Sequence, residues 1–170
     1  MPTLAAADST QYLTFVLAEE EYAIAVLGVK EIIRHDSLTH VPGTPAWVRG
    51  VVNLRGSAVP VIDLAVKFGL PDRPVTSRTC IVVVEATLNG DEAVMGLMAD
   101  SVSQVLDIGS NEIQRAPSFG TRVRVDYLKG MARIGTKFVL MLDVDRVLSA
   151  DELIAALSAD VPAPTLETAN

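Results

Sequence analysis

The sequence predicts a mainly β protein made of two similar units, each a small barrel or sandwich. One observation is the segment Trp47–Lys67, where two runs rich in β-branched residues flank a short turn that contains Arg55, the pattern of a β-hairpin. A second is that the segment Tyr127–Val144 aligns with it without a gap at an offset of 80 residues. A third is the recurrence of short apolar runs between turn signals. Two copies of one hairpin predict two copies of one folding unit.

The first copy reads as a hairpin, a connector, a break and a second hairpin. Two short apolar runs flank a polar turn at residues 18–21. The connector Val29–Ile33 has apolar residues at i, i+3 and i+4, which fits one helical turn or a strand, and five residues do not separate the two. Prolines interrupt the chain at 40–45 before the central hairpin. Asp63 then predicts the cap of a short helix.

The second copy follows a linker at residues 71–78. It opens with the near-continuous apolar strand Thr79–Glu85 and turns at Asn89-Gly90, a strong hairpin signal. Residues 11–17 align with 78–84 at an offset of 67, and Ile24 aligns with Leu97 at 73. The offset between matching residues grows from 67 to 80 along the chain, which indicates that the second copy contains inserted loop residues.

The ends of the chain are predicted to differ from this repeat. Residues 1–10 and 159–170 are predicted to be disordered. Residues 149–158 are predicted to form a helix, because Ser149 and Glu152 make a capping box ahead of an apolar stripe.

Composition favours a cytosolic protein that does not bind nucleic acid. The 21 acidic residues exceed the 14 basic ones, and the net charge is −7, whereas phosphate binding needs clustered lysine and arginine. Cys80 is the chain's one cysteine, which predicts neither a disulfide framework nor a thiolate metal site. The apolar runs are too short to cross a bilayer.

Catalytic patterns are not recognisable in the sequence. The glycines form no phosphate-binding motif, and no serine stands in a nucleophile elbow. His35 and His40 are interpreted as loop residues. The sequence therefore favours a binding module that uses no catalytic residues, metal or cofactor. The alternative, a small hydrolase or ligand-binding barrel using Asp63, Asp100 or His40, would need a polar pocket that joins those residues.

Two groups of residues are candidate contact sites. Val29 and Val102 occupy matching positions in the two copies, and Ile32 and Val105 follow them. These four either belong to the core or line an apolar groove for an amphipathic helix. Arg55 is either a solvated turn residue or an interface anchor. Its counterpart in the second copy is a glycine, so the hairpin itself does not require a charge there.

Four blocks, in order, resemble the chemotaxis coupling protein family, CheW. They are EEEYAIAVLGVKEII, TPAWVRGVVNLRGSAVPVIDL, GLMADSVSQVL and YLKGMARIGTKFVLMLDVDRVL. The resemblance implies a CheW-like domain at 11–158 that contains two pseudo-symmetric, five-stranded SH3-like barrels. The expected boundaries are about 18–78 for the first barrel and about 79–148, plus the N-terminal strand, for the second.

The resemblance also implies a function and its partners. The expected function is a non-catalytic adaptor that couples the cytoplasmic tip of transmembrane chemoreceptors to the regulatory domain of the histidine kinase CheA. The alternative is an adaptor of a parallel chemosensory pathway for pili, surface sensing or second-messenger control. The expected location is the cytoplasm, at receptor arrays, and self-association in array rings stays open. The residues carried over are Arg55, Gly56 and Glu31 for the kinase, and Val29, Ile33, Val102 and Val105 for the receptor.

Overall fold

A computed structural model describes residues 9–70, 73–88, 90–115 and 127–147. These residues form strands β1 Ser9–Leu17, β2 Glu20–Ala25, β3 Val29–Arg34, β4 Leu38–Thr39, β5 Val48–Leu54, β6 Ser57–Ile62, β7 Cys80–Leu88, β8 Asp91–Ala99, β9 Ser101–Gly109, β10 Ile113–Gln114, β11 Leu128–Ile134 and β12 Lys137–Leu142, and helix α1 Leu64–Lys67. The predicted helix at 149–158, the tail at 159–170 and residues 1–8 lie outside the described residues. Within the described part, no helix is long and apolar enough to cross a membrane.

The strands form two sheets with the same internal order. Barrel 1 comprises β3–β8 in the order β3-β7-β8-β6-β5-β4, and barrel 2 comprises β1, β2 and β9–β12 in the order β9-β1-β2-β12-β11-β10. Adding six to each strand number of barrel 1, and counting on from β12 to β1, gives the strand order of barrel 2. Each sheet contains five strands of six to nine residues and one strand of two residues, and the pair forms two SH3-like barrels. The prediction of a mainly β, duplicated fold is confirmed.

The boundaries predicted between the barrels were wrong, because each copy gives its first hairpin to the other barrel. β1 and β2 pair with β9 and β12 in barrel 2, whereas β7 and β8 pair with β3 and β6 in barrel 1. The sequence placed only the first strand, and not β2, in the second barrel. Alternation along a strand shows which faces are buried but not which sheet the strand joins.

A shared core between the barrels explains the near-continuous apolar strand. Val82 and Val84 of β7 belong to a cluster that includes Leu13 and Phe15 of barrel 2. The intervening Val83 points into the interior of barrel 1. Because β7 is buried on both faces, its sequence shows no polar alternation. The two barrels are therefore packed on one continuous apolar cluster.

Strand pairing also revises two details at the start of the chain. Ser9 pairs with Gly109, so β1 begins two residues before the predicted position because β9 is long enough to pair with it. Phe15 and Val84 occupy matching places, opposite Val102 and Val29, which makes the offset between these strands 69 rather than 67. A change of two residues keeps each side chain on the same face.

The predicted helix after the central hairpin is confirmed as α1. The Asp63 carboxylate accepts hydrogen bonds from the backbone N–H groups of Ala65 at 3.1 Å and Val66 at 3.3 Å. The chain leaves the helix at Gly69, where φ is +76°. Phe68, at the end of α1, stacks on Tyr127 of the second copy with ring centroids 5.3 Å apart, so the helix links the two copies.

Tyr22 carries a buried hydroxyl in the shared core. Its side chain is fully buried and stacks on Phe15 at 6.1 Å between ring centroids. No described group makes a hydrogen bond of good geometry with the hydroxyl, although the Glu20 carboxylate lies close enough to act on it. Burial raises the pKa of Tyr22, and the nearby Glu20 carboxylate raises this pKa further. The phenol therefore contributes packing area and carries a desolvation cost.

Tyr22→Phe should leave the free energy of unfolding at pH 7 unchanged or raise it by about 1 kcal/mol, because an unpaired buried hydroxyl is removed. The raised pKa means that the folded state favours the neutral phenol, so its contribution to stability is full below about pH 10, the unfolded pKa, and is lost above it. The variant should lose less stability in that alkaline range. Urea unfolding at pH 7 and pH 10.5 measures both effects. A loss of stability at pH 7 would mean that the hydroxyl has a partner.

Two glycines let the two-residue strands lie against the hairpins. Gly50 (φ +147°) and Gly130 (φ +156°) occupy matching positions, and a Cβ atom on either would collide with a backbone carbonyl, that of Thr39 or Gln114. The strand register shifts at both glycines. Here the duplication has kept glycine because the backbones approach closely.

Gly130→Ala should destabilise the fold more than Gly135→Ala, although both glycines belong to the same hairpin. Gly135 has φ +64° and open space around it, so alanine there costs only the left-handed strain of about 1–2 kcal/mol. Alanine at Gly130 adds an overpacking cost of about 1–3 kcal/mol. Chemical unfolding of the two variants measures the difference, and equal losses would contradict the close approach.

Candidate functional site

Arg55 and Gly56 form the two-residue turn between β5 and β6. Their φ angles are +52° and +88°, the geometry of a type I′ hairpin turn. The Gly56 N–H donates to the Asn53 side-chain oxygen at 2.8 Å. The predicted hairpin with arginine at its tip is confirmed. A non-glycine residue in this conformation costs backbone energy, so arginine is held at a place where glycine would be easier.

Arg55 forms an ion pair with Glu31 of β3. The Arg55 Nη1 atom lies 3.0 Å from Glu31 Oε2, and the side chains are 76% and 28% exposed. The three residues carried over for the kinase therefore lie together on barrel 1. An exposed pair of this kind adds little to stability, and it directs the guanidinium toward β3.

A β-bulge decides which residues of β3 share a face. Val29 pairs with Val84 and Glu31 pairs with Val83, so Lys30 is the extra residue. Residues that pair across neighbouring strands point to the same side. Val29 and Ile32 therefore face the shared core, because Ile32 pairs with Val82 of that core.

The same bulge corrects the placement of Ile33 in the receptor set. Beyond Lys30, Glu31 and Ile33 lie on the face opposite to Ile32. Ile33 packs against the interior of barrel 1, next to Val52 and Ile81 among others. The exposed residue is its neighbour Ile32, at 45%. Its i+3 spacing from Val29 is the signal that identifies it once β3 is known to be a bulged strand.

β9 repeats this arrangement in barrel 2. Val102 pairs with Phe15, Val105 pairs with Leu13, and Ser103 is the extra residue. Val102 is partly buried against the shared core, and Val105 is 50% exposed. We define the apolar strip as Val29, Ile32, Val102 and Val105. It lies at equivalent places of the two barrels, along the margin of the shared core.

Of the residues in the alternative enzymatic hypothesis, Asp63 and Asp100 both contact the Arg73 guanidinium, but the described cleft at His40 includes neither of them. Asp63 caps α1, and Asp100 accepts hydrogen bonds from Arg73. His40 lines a cleft of about 480 Å³ together with Arg49, and neither Asp63 nor Asp100 contributes to its lining. Among the described residues no group of three or more His, Cys, Asp and Glu side chains is arranged to hold a metal ion.

The family is decided by comparison with known proteins. A family model described as the CheW-like domain matches residues 11–152. The chain belongs to the CheW family. The match spans both barrels, so Arg55, Gly56, Glu31 and the apolar strip lie within one CheW-like domain.

Individual relatives agree with this membership. The chain is 36% identical over 143 residues to the chemotaxis protein CheW of Klebsiella aerogenes, which covers 84% of each protein. It is 32% identical over 143 residues to that of Treponema pallidum, again covering 84% of each. The crystal structure of the scaffolding protein TtCheW from Thermoanaerobacter tengcongensis superposes with a TM-score of 0.74 at 29% identity, covering 84% of this chain and 90% of that one.

Proposed function

We propose that this CheW-family chain is a non-catalytic adaptor that couples transmembrane chemoreceptors to the histidine kinase CheA in chemotaxis signalling. The observation that carries the proposal is that the family match spans both barrels, so a charged hairpin tip and an apolar strip belong to the same domain. In this role the chain works in the cytoplasm, recruited to receptor arrays, and the two surfaces bind different partners.

The kinase contact is assigned to Arg55, Gly56 and Glu31. The type I′ turn presents Arg55 at the hairpin tip, and the ion pair with Glu31 favours one direction of the guanidinium. Preorganisation reduces the entropy lost on binding. Arginine is a frequent interface anchor because its planar group donates several hydrogen bonds. The regulatory domain of CheA is the proposed partner of this tip.

The receptor contact is assigned to the apolar strip, with Ile32 in place of Ile33. Exposed apolar side chains at the margin of a core suit the apolar face of an amphipathic helix, which offers residues at i, i+3, i+4 and i+7. The cytoplasmic tip of a chemoreceptor is the proposed source of that helix. Val29 and Val102 are partly buried against the shared core. The exposed side chains of Ile32 and Val105 therefore supply most of the contact with the receptor helix.

The two contacts suffice for signalling without chemistry in the adaptor. A receptor that changes conformation alters its contacts with the strip, and the rigid domain transmits this change to the kinase at the tip. Such coupling requires only that the states of the partners differ in binding free energy.

Arg55→Ala should abolish most kinase coupling while leaving the fold intact. Because the side chain is 76% exposed and its ion pair lies at the surface, the free energy of unfolding should change by less than about 0.5 kcal/mol. Affinity for the CheA regulatory domain should fall about tenfold or more, as expected for an interface anchor. Kinase activity in reconstituted receptor membranes and thermal unfolding measure the two effects.

Arg78→Ala is the matched control for this experiment, since Arg78 is an exposed arginine of the linker and should change neither quantity. If a reaction without the adaptor has the same kinase activity as one with it, the adaptor function is refuted. If Arg55→Ala couples normally, only the assignment of the kinase contact is wrong.

Val105→Asp should weaken binding of a receptor-tip fragment, whereas Ile33→Asp should mainly destabilise the fold. Val105 is half exposed, so a charge there costs less than about 1 kcal/mol in the free monomer but is left unpaired in an apolar contact. Ile33 is partly buried against the interior of barrel 1, and its replacement by a charged residue should cost about 2 kcal/mol or more. Titration calorimetry and urea unfolding separate the two results. Normal receptor binding by folded Val105→Asp would contradict the assignment of the strip.

A further inference from the structure

The chain passes from one barrel to the other at two crossovers, and the residues at these two crossovers differ in chemical type. The chain leaves barrel 2 at residues 26–28, between β2 and β3, and returns to it at Asp100, between β8 and β9. Leu27 and Asp100 are matching positions, since Ile24 matches Leu97 and Val29 matches Val102 at the same offset of 73. Leu27 is 95% exposed, whereas the Asp100 side chain is 27% exposed. One crossover residue faces solvent, and the other is held by the protein.

Asp100 is tied to the β1–β2 hairpin of barrel 2. Its backbone N–H donates to the Val16 carbonyl at 2.9 Å. One of its carboxylate oxygens accepts from the Ala18 N–H at 2.8 Å. Ala18 lies in the tight turn of that hairpin with φ +49°. The crossover residue thus binds the hairpin through both its backbone and its side chain.

Arg73 holds the same carboxylate from the side of barrel 1. Its Nε atom lies 2.9 Å from both Asp100 oxygens, and its Nη2 atom lies 2.6 Å from one of them. The Arg73 side chain is only 16% exposed, and its Nη1 atom is 3.7 Å from Asp63. Asp63 is the N-cap of α1 and is 3.6 Å from Arg49 of β5. A continuous set of charges therefore runs from the hairpin of barrel 2 into barrel 1.

Near the crossover at residues 26–28, the hydrogen bond that joins the two barrels is exposed. Thr87 of β7, the counterpart of Ala18, donates its N–H to the Asp145 carboxylate at 2.7 Å in an exposed hydrogen bond. The Leu27 side chain has no hydrogen-bond acceptor. Arg146, which pairs at 3.6 Å with Asp143, the counterpart of Asp63, is 67% exposed. The fold therefore tolerates a crossover without a buried ion pair, so the fold alone does not explain the one at Asp100.

We propose that Arg73 is a positioning residue that locks the second crossover, so that it fixes the angle between the barrels and thereby the place of β9 in the receptor contact. Asp100 directly precedes β9, and Val102 and Val105 follow it at two and five residues. The two oxygens of one carboxylate accept from a planar guanidinium that resists rotation. The consequence for the receptor rests on the proposed function, whereas the consequence for the angle does not.

The angle is measured with spin labels at the two hairpin tips. In the full chain with Cys80→Ser, Ser57→Cys and Thr136→Cys place one label on each barrel at exposed positions. Pulsed electron resonance should give a narrow distance distribution for this parent. Arg73→Met and Asp100→Asn should broaden or shift it, and asparagine keeps an acceptor for the Ala18 N–H. Arg146→Met, the matched control, should leave the distribution as it is.

Binding measurements test the consequence for the receptor. Arg73→Met should weaken binding of a soluble chemoreceptor-tip fragment about fivefold or more, the scale of a typical coupling between sites. Binding of the CheA regulatory domain at the Arg55 tip should stay within about twofold. Arg73→Lys keeps the charge but loses the two-pronged contact, and it should recover part of the receptor affinity. Asp100→Asn is the second variant if Arg73→Met folds poorly.

The outcomes separate this proposal from the adaptor function. A narrow, unshifted distribution in Asp100→Asn, and in Arg73→Met where that variant folds, overturns the lock. Equal losses of receptor and kinase binding at an unchanged distance overturn it too, because they indicate a general loss of stability. If the parent protein binds no receptor fragment, the proposed receptor contact fails while the distance measurement still decides the role of Arg73.

Discussion

The exchange of hairpins between the copies is the constraint on which the rest of the structure depends. β1 and β2 complete barrel 2, β7 and β8 complete barrel 1, and all four strands contribute to the shared core. Neither copy has a complete sheet of its own, so burial of the apolar surface requires both. The free energy of burial that stabilises each barrel therefore also holds the two barrels together. For an adaptor this matters because surfaces on different barrels are fixed to a single core.

One strand connects the two proposed contacts. The bulge at Lys30 lets Val29 and Ile32 face the margin of the shared core while Glu31 points to the other side and meets Arg55. A regular strand would place Val29 and Glu31 on one face. β3 therefore lies between the proposed receptor and kinase contacts, and a small displacement of this edge strand would reach both. The bulge in β9 has no charged hairpin tip beside it, since the counterpart of Arg55 is Gly135, so the path is asymmetric.

Local chemistry was readable from the sequence, whereas the partner of each hairpin was not. The turn at Arg55 and the cap at Asp63 depend on residues close in the chain, and both were predicted correctly. The barrel to which β2, β7 and β8 belong depends on pairing between distant strands, and the pattern along a strand does not show which sheet it joins. Ile33 was misplaced for a related reason. Its i, i+3, i+4 pattern fits a helix, and only the bulge shows that Ile32 occupies the exposed place. Arg73 gave no signal, because nothing in the linker predicts a bond to Asp100.

Duplication gives an internal comparison that separates the needs of the fold from those of function. Gly50 and Gly130 stay the same because a neighbouring carbonyl excludes any side chain at both places. Matching positions that differ cannot be dictated by the barrel, since the barrel forms with either residue. Arg55 differs from its glycine counterpart although it bears backbone strain, and Asp100, which is partly buried against Arg73, differs from a leucine that is 95% exposed. Arg55 bears a backbone cost that its counterpart avoids, which indicates that folding alone did not select it, and both residues lie next to a surface through which an adaptor has to act.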